Sequence, residues 1–156
     1  MGEILEFIKE EFIVMMIAAA PISELRGAIP LGISIGFSPL HSTIISIIGN
    51  CLPVPFLLLI LRPLFAALED VRIVGEFIKW IKRRTLRKSN NIVKYSVLGL
   101  YILVAIPLPT TGAYTGCVAA TLFNIRFKYA ILAIVSGVIT SGIIVLFLSH
   151  QVTVIF

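Results

Sequence analysis

Charge is what this sequence has least of. Only 8 of its 156 residues are acidic and 13 basic, against 58 % hydrophobic. Soluble domains carry about a quarter charged residues, so the composition excludes an ordinary water-soluble domain and reads as an integral membrane protein. Cysteine is nearly absent as well. Cys51 and Cys117 sit in separate apolar stretches without a partner motif, which excludes a zinc, haem or redox framework and leaves both as small apolar filler. The apolar segments contain no HExxH, no GxSxG and no pair of aspartates, so neither an intramembrane enzyme nor a metal site nor a cofactor is expected. The opening MGEILEFIKEEF is acidic where a signal peptide is basic, and no small-residue cleavage pattern follows. Glu6 stands where myristoylation needs Ser or Thr.

What is present is apolar length. Four stretches stand out, at 12–37, 40–62, 95–123 and 127–149, with a polar, basic segment at 63–94 dividing them into two pairs. The stretch 40–62 is uncharged up to Arg62 and long enough to span, with a kink expected at Pro53 and Pro55. The stretch 127–149 is the cleaner span. Its Ser136, Gly137, Thr140, Ser141 and Gly142 form a small-residue stripe suited to close helix contact.

The other two stretches are interrupted. FIVMMIAAA (12–20) and LGISIGF (31–37) flank one break, and YSVLGLYILVAI (95–106) and CVAATLF (117–123) flank the other. Arms of about 7–12 residues make about 10–18 Å of helix, roughly half of a hydrocarbon core about 30 Å thick. That is the length of a re-entrant hairpin, which dips in and returns on the same side. Charge agrees. With both interrupted stretches as hairpins, Arg126 and Lys128 fall on the same side as the basic loop 63–94, which the positive-inside rule makes cytoplasmic. The expected fold is therefore an all-α membrane domain over 1–156, built as two inverted repeats of a re-entrant hairpin plus a spanning helix. Laying Pro21 on Pro107 brings Phe37–Ser38 onto Phe123–Asn124. Interrupted helices in inverted repeats are a recurring plan of secondary transporters, whose sites form where the broken segments meet. In the linker, Leu64, Leu68, Val71, Val74, Phe77, Ile78 and Ile81 recur at helical spacing beside basic residues and Trp80, as in an interfacial amphipathic helix on anionic lipid.

The first break, PISELRGAIP, places Glu24 and Arg26 in the membrane. A charge there costs about 2.5–3.5 kcal/mol on insertion scales, so the two are expected to be paired or to face a watery cavity. Two residues apart on a helix they point away from each other, which argues against a simple intrahelical bridge. Pro21, Gly27 and Pro30 favour an unwound turn, in which the pair could meet or each could reach the second break. Glu24 is a candidate proton carrier. Arg26 is a candidate anion-binding group, because guanidinium matches phosphate or carboxylate oxygens in a two-pronged way. The alternative is a satisfied pair that only fixes the turn. The second break, PLPTTGAYTG, carries no charge. Pro107, Pro109, Gly112 and Gly116 break the helix there, and Thr110, Thr111, Tyr114 and Thr115 offer hydroxyls that either line a site or cap their own backbone. Asn50 reads as a helix-packing residue joined by a hydrogen bond, and His41 and His150, near span ends, as interfacial.

ELRGAIPLG (24–32) and PLPTTGAYTG (107–116), at this spacing in so short a chain, resemble the small multidrug export protein family over nearly the whole length. That family looks like a distant relative of the DedA/VTT membrane proteins, a group associated with two re-entrant hairpins and with proton-linked transport or lipid-carrier translocation. The resemblance places Glu24, Arg26, Gly27 and Pro30 in the first motif and Pro107, Pro109, Gly112 and Gly116 in the second. Where the DedA group has an arginine in its second motif, this chain has Thr110, Thr111 and Tyr114. The function expected is a small secondary transporter or lipid-carrier flippase, coupled to protons through Glu24, moving an anionic or amphipathic substrate. Multidrug efflux of small amphipathic compounds and a non-transporting scaffold are the alternatives. Membrane lipids and a second copy of the chain, as a homodimer, are the expected partners, and no nucleic acid.

Overall fold

The computed structural model describes residues 2–68, 75–76, 90–108 and 111–155. Among these, seven helices follow one another: α1 (Gly2–Ala18), α2 (Glu24–Ile35), α3 (Pro39–Cys51), α4 (Val54–Leu68), α5 (Asn90–Ala105), α6 (Ala113–Leu122) and α7 (Phe127–Ile155). No strand occurs among the described residues. Two helical runs are long and apolar enough to cross a membrane, Pro39–Ala67 with 29 residues and Phe127–Ser149 with 23.

Local chemistry sets the boundaries. At the end of α2, Gly36 takes the left-handed conformation (φ 111°), and the Gly36 and Phe37 amides turn back to the Ile33 and Gly32 carbonyls. The end of α6 repeats this closure on a different residue. Asn124 is left-handed (φ 50°), and the Asn124 and Ile125 amides reach the Thr121 and Ala120 carbonyls. In each case the next helix begins three residues later, at Pro39 and at Phe127. The two helix ends at Gly36 and Asn124 thus close in the same way. Ser38 caps α3, its hydroxyl accepting the His41 amide, with Pro39 in the first helical position.

The prolines act unequally. Pro53 and Pro55 remove the donors for the Gly49 and Cys51 carbonyls, and the first span breaks at Leu52–Pro53 between α3 and α4. Pro63 ends nothing, because it forfeits only the Leu59 carbonyl. Helix α4 runs on to Leu68, beyond the expected limit at 62. Of the expected linker helix at 63–94, residues 69–74 and 77–89 lie outside the described residues. Helix α5 begins at Asn90 rather than 95, α1 at Gly2 rather than 12, and α7 continues past 149.

A few small polar groups are buried within an apolar core that includes Leu25, Ile29, Val54, Leu58 and Ile134, while many large apolar side chains face outward. Ser42, Thr43, Ser46, Asn50, Thr121 and Ser141 are buried, whereas Ile44, Phe56, Leu59, Leu132, Ile143 and Phe147 are exposed. A surface of this kind is stable against lipid and not against water. Between helices already in lipid, contact rests on close packing and hydrogen bonds. Helices α1, α2 and α3 pack on one another, α5 and α6 pack on α7, and α4 supports α6. Helix α7 joins the groups by also touching α2 and α3. Its small residues allow this. A Cβ on Gly137 would meet Val104 and the Tyr101 carbonyl of α5, and one on Gly142 would meet Ile47 and Thr43 of α3. The expected close-contact stripe is therefore used on two sides, and Tyr101 adds a 3.0 Å hydrogen bond to Thr140.

Candidate functional site

The first break is tighter than expected. After α1 the Ala19 and Ala20 amides bond back to Met15 and Ile17, and the Glu24 amide already reaches the Ala20 carbonyl. Only residues 19–23 form the turn, so Arg26, Gly27 and Pro30 lie inside α2 rather than in an unwound loop between Pro21 and Pro30. The reason is that Pro30 costs the helix only its bond to the Arg26 carbonyl. Packing also secures that stretch, since Ser42 of α3 donates to the Ile29 carbonyl at 2.9 Å. Gly27 serves close approach, because a Cβ there would press on Ser23. Glu24 itself is left-handed at φ 44°, a conformation that costs a non-glycine residue about 1–3 kcal/mol and is held only where its surroundings demand it.

The second break closes on its own hydroxyls. Thr111 Oγ1 donates to the Ile106 carbonyl at 2.6 Å and accepts the Leu108 amide at 3.1 Å. Thr115 Oγ1 accepts the Gly112 amide at 2.9 Å. These two threonines are thus spent on the turn, as Thr-rich turns allow. Gly116 lets α6 lie against Val104. Pro109 and Thr110, both named from the sequence, lie outside the described residues.

The two breaks meet. Gly112 precedes α6 and has no side chain with which to cap it, and the Glu24 carboxylate fills that space: a Cβ on Gly112 would overlap it. The carboxylate accepts a hydrogen bond from the Tyr114 backbone N–H, at the second position of α6. It therefore meets the positive end of the helix dipole. Arg26 Nη2 donates to the Thr111 carbonyl at 2.8 Å. In the opposite sense, the Tyr114 hydroxyl donates to the Ala19 carbonyl at the end of α1. Among the described residues Glu24 and Arg26 form no ion pair with each other; each is satisfied by backbone of the other break. A cavity of about 310 Å³ opens here, lined by Pro21, Ile22, Ser23, Glu24, Arg26, Thr111, Tyr114 and Thr115. On its other side Arg26 lines a second cavity of about 430 Å³ with Pro30, Ile33, Ser34, Pro107, Val145, Leu148 and Ser149.

This arrangement offers an ionisable carboxylate held by one helix N-terminus, and a guanidinium that borders both a polar and a mainly apolar chamber. Protonation of Glu24 would weaken its bond to α6, since bonds to charged groups contribute about 1.5–3 kcal/mol against about 1 for neutral ones. Composition and spacing singled out Glu24, Arg26, Thr111 and Tyr114, and the fold brings all four together. What they could not indicate is that Gly112 is the seat of the carboxylate, or that the Tyr114 amide and the Ala19 and Thr111 carbonyls are the partners. Backbone groups leave no mark in composition, and the absence of a capping side chain before α6 was the available signal.

Two further features came from outside the motifs. Ser46 Oγ and Asn50 Oδ1, one turn apart on α3, are buried without a hydrogen-bond partner among the described residues. Asn50, expected to pack helices through a hydrogen bond, is buried with its amide oxygen meeting no donor among the described residues. His41 Nε2 and Glu11 Oε1 approach to 2.8 Å, and the His41 ring packs on Phe7 and Phe37. That joins the starts of α3 and the middle of α1 without involving Glu24.

No curated protein and no solved structure matches the chain. A family profile does, the one described as "Putative small multi-drug export protein", over residues 24–144. The match begins on Glu24, where α2 leaves the first break, and runs through the second break into α7, which is more than half of the chain. On that extent, and with both motifs inside it, the chain belongs to the small multi-drug export protein family.

Proposed function

We propose that this protein is a proton-coupled secondary transporter in which Glu24 carries the proton and Arg26 holds an anionic or amphipathic substrate. The observation that carries the reading is the seat of the Glu24 carboxylate on the N-terminus of α6, inside a cavity walled by both breaks. In the ionised state the carboxylate ties the first break to the second. A proton removes that charge-assisted tie, leaves Arg26 as the charge of the cavity, and loosens α6 from α2. Proton loading and anion binding then favour each other, because the protonated site is positive. Arg26 presents its charge to an amphiphile whose apolar part fits the larger chamber along Ile33, Val145 and Leu148.

The remaining parts of this reading concern the membrane. The pairs α1–α2 and α5–α6 are re-entrant hairpins entering from opposite sides, related as inverted repeats, with the basic loop cytoplasmic. The distant kinship with the DedA/VTT group and a lipid-carrier substrate belong to the same reading. Matching helix ends at Gly36 and Asn124 support it, as do the reciprocal donations of Arg26 and Tyr114. So does the length of α6, whose 10 residues make about 15 Å, half the hydrocarbon core. Ile22, 95 % exposed at the tip of the first turn beside the cavity, supports a homodimer in which a second copy covers that opening.

A second reading, efflux of small amphipathic cations, is favoured by one observation. Arg26 is engaged with Thr111 rather than with Glu24, so a cation could compete with the proton for the carboxylate. Proteoliposomes with an imposed pH gradient decide. Glu24→Gln should fold, retain substrate binding and lose proton-driven flux. Unchanged flux in a folded Glu24→Gln protein would remove the coupling role of Glu24, and absence of flux in the wild type would leave a scaffold. Flux of cationic but not anionic amphiphiles would select the second reading.

A further inference from the structure

Where α4 passes the junction of α6 and α7, three cations gather at one edge of the apolar exterior. Arg62 Nη2 donates to the Ile125 carbonyl at 2.8 Å, and its guanidinium carbon lies 5.7 Å from the centre of the Phe127 ring. Arg126 stands between those two contacts in the chain and Lys128 follows them; all three side chains are exposed. Helices α4, α6 and α7 contain no aspartate or glutamate along their lengths, so these elements offer nothing to neutralise the cluster. The location is equally specific. The apolar span Phe127–Ser149 begins here, and Arg62 lies near the end of the other span, Pro39–Ala67. Exposed Leu64, Phe123 and Tyr129 flank the cations. The cluster therefore sits where the apolar flank of the protein gives way to head groups.

We infer that this edge is a binding site for the phosphate of an anionic phospholipid, independent of the Glu24 cavity and of any transport reading. Arg62 is already positioned, by a carbonyl on one side and an aromatic face on the other, so little side-chain freedom is lost when its remaining N–H groups take phosphate oxygens. Arg126 and Lys128 close on the same group from the α7 side, and the acyl chains lie along the exposed apolar residues beside them. The apolar flank selects lipid over free phosphate, because a soluble anion at an exposed site gains only screened charge.

The test is native mass spectrometry of the full chain released from bilayers of equal phosphatidylglycerol and phosphatidylcholine. The wild type should retain phosphatidylglycerol preferentially. Arg126→Gln with Lys128→Gln, both at exposed positions, should keep its helix content by circular dichroism and lower that preference about tenfold. Lys9→Gln, an exposed cation on α1, should leave it unchanged. Three results would overturn the site: equal retention of the two lipids by the wild type, an equal loss in Lys9→Gln, or displacement of the retained lipid by millimolar inorganic phosphate.

Discussion

The Glu24 carboxylate occupies the space that a side chain on Gly112 would need. The two residues are 88 positions apart in sequence, the same separation as the left-handed Gly36 and Asn124 at the ends of α2 and α6. Gly112→Ala is therefore a way to disturb Glu24 without touching its chemistry. The added methyl should expel the carboxylate from the end of α6 and destabilise the protein by about 1–3 kcal/mol, as overpacking does. A thermal melt in detergent measures the loss, and flux in liposomes should fall toward that of Glu24→Gln.

Arg26 and Tyr114 hold the two breaks together from opposite directions. Tyr114→Phe removes one hydroxyl donation, and interhelical hydrogen bonds in membranes average about 0.6 kcal/mol with a maximum near 1.7. Removing Arg26 as Gln should cost more, because the Thr111 carbonyl loses a charged donor. The two donate to different carbonyls but clamp the same pair of turns, so their effects on melting should fall short of additive in the double variant.

The unpartnered oxygens of Ser46 and Asn50 make a prediction of the opposite sign. Replacing a buried polar group that has no partner by an apolar one of similar size is neutral to stabilising. Asn50→Leu should hold or raise the melting temperature. A fall of several degrees would mean that the Asn50 oxygen is hydrated in the folded protein.

Side assignment can be measured directly. In a variant with Cys51 and Cys117 replaced, single cysteines at Ser38 and Asn124, both exposed, should react with a membrane-impermeant maleimide from opposite sides. Labelling of both from the outside would remove the re-entrant arrangement.

Much of this molecule was legible because hydropathy and charge act over whole segments. The spans on Pro39–Ala67 and Phe127–Ser149 follow from continuous apolar length, and the contact role of Gly137 and Gly142 follows from their size. Glu24 and Arg26 stood out because charge is costly where they lie. Proline was the misleading signal. Pro21 and Pro30 suggested a wide unwound loop, yet one missing amide at Pro30 does not undo a helix packed on three neighbours. The shared closure of α2 and α6 was not legible for a related reason: Gly36 and Asn124 have the same left-handed backbone and no side-chain chemistry in common.

The break at Leu52–Pro53 divides the first long helix between two allegiances. Its α3 half packs with α1 and α2, and its α4 half supports α6. The segment is mechanically a lever with its fulcrum at Pro53, where neither Pro53 nor Pro55 supplies an amide to stiffen the joint. A swing of the first three helices against α6 must either flex that fulcrum or drag α4 with it. The stiffness of two peptide units thereby bears on how readily the Glu24 and Gly112 faces can part.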